Sequence, residues 1–495
     1  MPSNNASPAP ENPVIPKAQE NPWYIRHFIK LLIGFGLGGG AVAILLPWVL
    51  WLHCGMSSGS SDQLRLHLLY VTGGIIAVLT LLQTNWKNQG DRLKIDADIK
   101  KNEQDAEKNE RDHFRQVHAE RRSRYTKAVE QLADEKATVR LGGIYTLVGL
   151  VDEWLADDTL NPEEQQKEGQ VIVNNLCSYI RSPFPLAEKV EEYEARNELE
   201  ELKKKESKSL SPLDSLRLMI LNKRFTETND EKKIEQITAG YAKIQEEQDV
   251  RRTIFAEMSK RSSTFVKDKI GKVIGTFPGM WSGFDFDFSR APIFYPLNAI
   301  TIEKGNFSSA KFYGNADFRG ATFTQSANFS GATFAQIANF SRATFTQYAG
   351  FSGANFTQIA NFSRVAFTQY ASFNWATFTQ TADFNRATFT QTANFSGAAF
   401  TQTANYSNAT FSAASPKFVE TLEISGETFR ARFTALPAGQ EAHNFAVYEG
   451  SQPILLGTAG LNGVGYRIPV GTVLFDPSSW DERQKEYTRL SEPAQ

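Results

Sequence analysis

Metal and acid–base chemistry require histidines, cysteines or carboxylates at short spacing, and here such residues are scattered. The histidines are His27, His53, His67, His113, His118 and His443, none beside another at ligand spacing, and Cys54 and Cys177 are isolated. No metal site is expected from them. The patterns G-x-x-x-x-G-K-[ST] and H-E-x-x-H do not occur, so the phosphate loop and the zinc-protease helix have no counterpart. Between residues 301 and 411 the only acids are Glu303, Asp317 and Asp383, which leaves no neighbouring carboxylate pair. The chain is expected to be no enzyme and to need no cofactor.

The same stretch carries a count instead. Aromatics recur at Phe307, Phe312, Phe318, Phe323, Phe329, Phe334, Phe340, Phe345, Phe351, Phe356, Phe362, Phe367, Phe373, Phe378, Phe384, Phe389, Phe395, Phe400, Tyr406 and Phe411, in steps of five and six. Two positions before each anchor stands Ala, except at Gly305 and Val365. In extended backbone, residues i and i−2 point to one side. A small residue ahead of a large one therefore marks a short inward face, after which the chain turns and repeats. This is a β-solenoid, coils stacked about 4.8 Å apart around an apolar column. Each buried Phe contributes about 1.5–3 kcal/mol, enough to offset chain ordering without metal or disulfide.

The rest of the chain must position this rod. A length of 495 residues allows about three domains, and a net charge of −2 gives no global pull toward nucleic acid. Residues 1–22, rich in Pro, Asn and Ser, read as a disordered tail. Leu31–Leu52 and Leu66–Leu82 are uncharged apolar runs of about the length needed to cross a bilayer. Trp23, Tyr24, Trp48, Trp51 and Trp86 flank them at interfacial positions. Residues 23–86 thus form a two-helix anchor. Gly34, Gly36, Gly38 and Gly40 are placed to let the first helix pack closely, most simply against the second. Lys17, Arg26 and Lys30 precede the spans and Lys87, Arg92, Lys94, Lys100 and Lys101 follow them, against Arg65 alone between. The expected location is the plasma membrane with both termini cytoplasmic.

Residues 87–124 are densely charged with strong helix formers, a solvated helical stalk. Residues 125–185 carry three apolar stripes: Tyr125, Val129 and Leu132; Leu141, Ile144, Val148, Val151 and Leu155; Ile172, Leu176 and Ile180. They predict a small α-helical module with Cys177 in its core. Residues 186–280 form a charged helical linker, whose apolar patch Leu216, Leu218, Met219 and Ile220 is expected to dock on the module. Residues 281–302 are expected to cap the solenoid, with Ile300 and Ile302 keeping the anchor register, and the solenoid proper runs 303–412. Residues 413–495 read as a small C-terminal β domain, with Ser479 and Glu482 as a capping box for a last short helix.

The units Ala316-Asp317-Phe318, Ala327-Asn328-Phe329, Ala360-Asn361-Phe362 and Ala382-Asp383-Phe384 resemble the pentapeptide-repeat family. More closely, the alternating five and six and the Phe centre are similar to a subclass of actinobacterial, corynebacterial-type membrane proteins. The resemblance implies a right-handed quadrilateral β-helix. Four faces then make a coil of 22 residues, and about five coils make a rod about 24 Å long; a coil of 11 residues is the alternative. Some members of the family are implied to mimic DNA and occupy topoisomerases, which needs an anionic rod. Here residues 301–411 hold Lys304, Lys311, Arg319, Arg342, Arg364 and Arg386 against three acids, which disfavours that role. The TFT triplets at 322–324, 344–346, 377–379 and 388–390 give an outward threonine ladder, superficially like ice-binding solenoids but equally what exposed strands carry. The function expected is a scaffold or binding module that presents a rigid polar rod to a protein partner in the cytoplasm. A membrane-linked signal transducer is the alternative. The partners expected are a protein and the membrane, with a homo-oligomer left open and no nucleic acid.

Overall fold

The computed structural model describes residues 21–205, 211–225, 231–267, 273–423, 426–436, 442–484 and 486–495. All but two residues of the expected disordered tail lie outside them. The chain divides into two compact units, 1–118 and 119–495.

The first unit holds helix α1 (Phe28–Cys54) and the beginning of α2 (Ser58–Leu132). Each contains a stretch long and apolar enough to cross a membrane. Side chains such as Leu37, Ile44, Leu69 and Val78 are exposed. The expected second span and charged stalk are parts of one uninterrupted helix. The glycine expectation is corrected: nothing lies within 4 Å of a Cβ built on Gly34, Gly36, Gly38 or Gly40. The close approach is at Gly39, where a Cβ would collide with the Thr72 side chain. Ala43 and Pro47, four and eight residues on, are the buried residues of α1. The seam follows one i, i+4 row, and that row is offset by one residue from the glycines expected to form it.

In the second unit the helical module is as its stripes predict. The end of α2 packs with α3 (Ala137–Leu155) and α4 (Pro162–Arg181) around Leu132, Ile144, Val148, Val151, Ile172, Leu176 and Ile180. Asn161 caps α4 by accepting from Glu164 N at 2.9 Å, with Pro162 in the first turn. Cys177 is fully buried, and burial pushes its thiol up to about 12, an unreactive core residue. Then come α5 (Val190–Lys204), α6 (Pro212–Phe225) and α7 (Glu231–Arg261). The apolar patch on α6 does not dock on the module. Leu216, Met219 and Ile220 are exposed, while Leu221, with Leu218 and Phe225, packs on Ala195, Leu199 and Leu202 of α5. Two ion pairs, Arg217 with Glu198 and Arg224 with Glu191, hold α6 in that rotation.

Helix α7 joins module to rod. Its Arg251 is buried and donates to Glu247 Oε1, Ile180 O, Ser182 O and Ser182 Oγ, satisfying carbonyls at the end of α4. Phe255 lies 4.6 Å from Phe288 and nearly parallel to Phe307. The N-terminal plug of the solenoid is therefore this helix. Residues 281–302, expected as the cap, wind instead as the first coil. Phe288, Ile293, Leu297 and Ile302 are its buried anchors, with Ile293 paired to Phe312 and Ile302 to Phe323.

Four parallel sheets of six, eight, five and six strands make the sides of the rod, through about six turns. The register decides the coil length. Ala327 pairs with Ala349, Thr333 with Asn355, Ala338 with Ala360 and Thr344 with Ala366, each 22 residues on. All eighteen anchors from Phe318 to Phe411 are at most 1% exposed. Their rings form four columns. On one side Phe318, Phe340, Phe362, Phe384 and Tyr406 stack at 4.7–5.1 Å within 6° of parallel. Opposite columns meet edge to face across the core, as Phe340 does Phe351 at 5.4 Å and 85°. Both are the favoured aromatic geometries.

The expected C-terminal β domain is in part a continuation of the rod. Phe418 stacks on Phe395, Phe433 on Phe400 and Phe445 on Tyr406, and Val473–Phe475 adds beyond Arg432–Thr434. The hairpins Val419–Thr421 with Thr428–Arg430 and Leu456–Leu461 with Val464–Pro469 interrupt this last coil. The Ser479–Glu482 box is also corrected. The turn is a 3-10 segment, Pro477–Ser479, and Asp476 caps it by accepting from Ser478 N.

Two outcomes test the column. Phe362→Ala removes a ring stacked on both sides and is expected to cost about 3–5 kcal/mol, read as a lower denaturant midpoint of the detergent-solubilised full chain; an unchanged midpoint would contradict the packing. Tyr406 is the one non-Phe anchor, and its buried hydroxyl has no hydrogen-bond partner among the described residues. Tyr406→Phe keeps the ring and is expected to raise stability by about 1–3 kcal/mol, whereas a fall would reveal a hidden partner for the hydroxyl.

Candidate functional site

Since the buried rings fill the interior of the rod, whatever the rod recognises must meet its corners and sides. Two kinds of corner explain the steps of five and six. Each five-residue step is a hydrogen-bonded turn: Ala343 N donates to Phe340 O at 2.9 Å and Val365 N to Phe362 O at 3.2 Å. The third residue of each turn has positive φ, from Ser309, Gly320 and Gly331 through Arg342, Gly353, Arg364, Trp375, Arg386 and Gly397 to Asn408, the signature of a type II turn. The Asn or Asp before the anchor supports it. Asn339 Oδ1 accepts from Ser341 N, Asn361 Oδ1 from Ser363 N and Asp383 Oδ1 from Asn385 N, the Asx contact these residues favour.

Six-residue steps are open bends without positive φ. There the Thr after the anchor bonds to the coil before: Thr346 Oγ1 donates to Thr324 O at 2.6 Å, Thr357 Oγ1 to Ala335 O at 2.9 Å and Thr401 Oγ1 to Thr379 O at 2.6 Å. Thr322, Thr324 and Thr344 are buried. Part of the expected outward ladder thus does not face water, while Thr379 and Thr390 are exposed as expected.

This alternation of corners around a stacked aromatic core is what the comparisons recognise. Residues 307–354, 351–399 and 376–416 match the family model described as pentapeptide repeats, with nine copies. The solenoid is a pentapeptide-repeat domain. No curated protein and no solved structure matches the chain.

The domain's turn corners are not equivalent. On one edge Trp375 meets Phe429 of the Val419–Thr421/Thr428–Arg430 hairpin edge to face at 4.6 Å, so its left-handed position has a packing role. The opposite edge runs Gly320, Arg342, Arg364, Arg386 and Asn408, in steps of 22, all with positive φ. The three arginines are exposed, and none of their guanidinium groups makes a hydrogen bond or ion pair with a described residue. Arg319, beside them, is held by Asp317 at 2.8 Å. Along this edge lies an open groove of about 620 Å³, lined by Arg319, Arg342, Arg364, Ser341, Ser363 and Asn385. Asp383, the carboxylate in its lining, is engaged by Asn385 N and Asn405 Nδ2. In the sequence these arginines count only toward net charge. Their recurrence every 22 residues is the signal that places them together, once the coil length is known.

A left-handed arginine costs about 1–2 kcal/mol, against about 0.5–1 kcal/mol for the extra freedom glycine loses on folding. Arg364→Gly is therefore expected to raise the stability of the full chain by about 0.5–1 kcal/mol in denaturant titration. A clear loss would mean that the guanidinium supports the coil.

Proposed function

We propose that this protein is a non-catalytic scaffold, anchored by α1 and the apolar part of α2 in the plasma membrane, that presents the pentapeptide-repeat rod to a protein partner in the cytoplasm. The observation that carries the reading is the division of the rod into a closed interior and a regular polar exterior. The anchors are buried to the last ring, so what the domain offers is surface. Solenoids with such repeating faces suit extended recognition, and pentapeptide-repeat solenoids are typically protein-interaction modules. The membrane part rests on the two apolar helices and on their exposed leucines, isoleucines and valines, which lipid would solvate and water would not. The cytoplasmic assignment of both termini rests on the lysines and arginines that flank the spans and are sparse between them. Among the described residues no three His, Cys, Asp or Glu side chains converge, and the reading needs no metal or cofactor.

The test is crosslinking in the native membrane followed by pull-down, with the full chain compared to one lacking residues 303–411. At least one crosslinked protein is expected to disappear with the rod. Identical protein lists would end the scaffold reading.

A further inference from the structure

We propose that the arginine edge of the rod binds an acidic α-helix of the partner, one carrying carboxylates in an i, i+3, i+7 row and lying along the rod axis. The proposal rests on the scaffold reading and narrows it to a surface and a chemistry. Arg342, Arg364 and Arg386 occupy the same corner of three successive coils. The anchors two residues before them, Phe340, Phe362 and Phe384, are 5.0 and 5.1 Å apart, so the three side chains leave the rod at steps of about 5 Å. Each is exposed and unpaired, and each stands where the neighbouring coils have Gly320 and Asn408. Nothing among the described residues explains three like charges stacked on a left-handed corner. An external anion does.

The spacing selects the kind of anion. Carboxylates on one face of an α-helix recur on average every 3.5 residues, about 5.3 Å along the axis, so two steps span about 10.5 Å. An extended strand repeats on one face every 6.6–6.8 Å, about 13 Å over two steps, and runs out of register with the arginines. Nucleic acid is the weaker fit: three phosphate contacts beside Asp317 and Asp383 give little counterion release. The chain itself contains the recognition proposed. Arg217 and Arg224, seven residues apart on α6, meet Glu198 and Glu191, seven apart on α5. Two arginines about 10.5 Å apart thus read two carboxylates at the same separation on a neighbouring helix. Ser341 and Ser363 line the groove between the arginines and add hydroxyls for carboxylate oxygens.

The experiment titrates the full chain, held in neutral-lipid nanodiscs, with a fluorescent alanine-based helical peptide bearing Glu at i, i+3 and i+7. A peptide of equal composition with Glu spread around the helix, a short single-stranded oligonucleotide and anionic vesicles are the other arms. The patterned peptide is expected to bind about tenfold more tightly than the scattered one, and to lose about tenfold or more with Arg342→Gln, Arg364→Gln and Arg386→Gln combined. Added salt is expected to weaken it. Gln keeps the corner strain, and Arg364→Gln alone, expected to give a smaller loss, serves if the triple variant fails to fold. Equal affinity for both peptides, no loss in the variants, or preference for oligonucleotide or vesicle each overturns the proposal. A partner captured equally by the triple variant in the native pull-down would overturn it and leave the scaffold reading standing; identical protein lists from the full chain and the chain lacking residues 303–411 would remove that reading instead.

Discussion

The structure depends on one repeat distance. Parallel backbone pairing sets coils about 4.8 Å apart, and aromatic rings stack offset at nearly that spacing, so hydrogen bonds and ring contacts reinforce the same register. Phe340, Phe362 and Phe384 show the agreement: their rings are 5.0 and 5.1 Å apart, while Phe340 N donates to Asn361 O at 2.8 Å and Phe362 N to Asp383 O at 2.7 Å. A shift of one residue would break both sets together. That coupling explains why Ala at −2 is so uniform. A larger side chain there would hold the strand away from the rings, and Val365, fully buried, marks how little extra volume is admitted.

A repeating core creates a difficulty at its ends, because the last ring and the last strand edge on each side need cover. The two ends are covered differently. At the N-terminal end Phe255, carried by a helix, continues a ring column in a non-repeating element. Glu303, fully buried, accepts from Ser263 N and Thr324 Oγ1, joining the end of that helix to the second coil. At the C-terminal end the coil itself is prolonged by inserted hairpins, and His443 accepts from Ala404 N while its Nε2 faces Thr434 O at 3.1 Å. Burial lowers the pKa of this imidazole, which favours the neutral form that can accept and donate at once.

These ends were the least legible part of the sequence, for a physical reason. Inside the rod every coil meets the same neighbours, so the same residue type recurs and can be counted. In the first coil the anchors are Phe288, Ile293, Leu297 and Ile302, and their spacing obeys local packing against α7 and not the 22-residue period. After Phe411 the anchors Phe418, Phe433 and Phe445 are real, yet hairpins push them apart and the period disappears. The helical module was legible because its stripes face one core. The seam of α1 was not: an almost uniformly apolar helix has no polar face to orient it, and Gly39 lies one residue from each candidate row. The exposed patch on α6 was misjudged for the opposite reason. Charge pairs with α5 fix its rotation, and they leave Leu216, Met219 and Ile220 outside.

The corners are where this architecture leaves freedom. Ring, alanine and Asx positions are each tied to a neighbour above, below or beside them, so changing one disturbs the register. A turn residue with positive φ has its backbone prescribed and its side chain directed away from the rod. Glycine satisfies that demand at least cost, and most corners on the Trp375 edge use it: Gly331, Gly353 and Gly397. Departures from glycine are therefore more informative than conformity to it. Trp375 departs and finds Phe429. Arg342, Arg364 and Arg386 depart together, on one edge, with no partner among the described residues. In a fold whose interior is set by a single distance, such a row reports on what the surface meets.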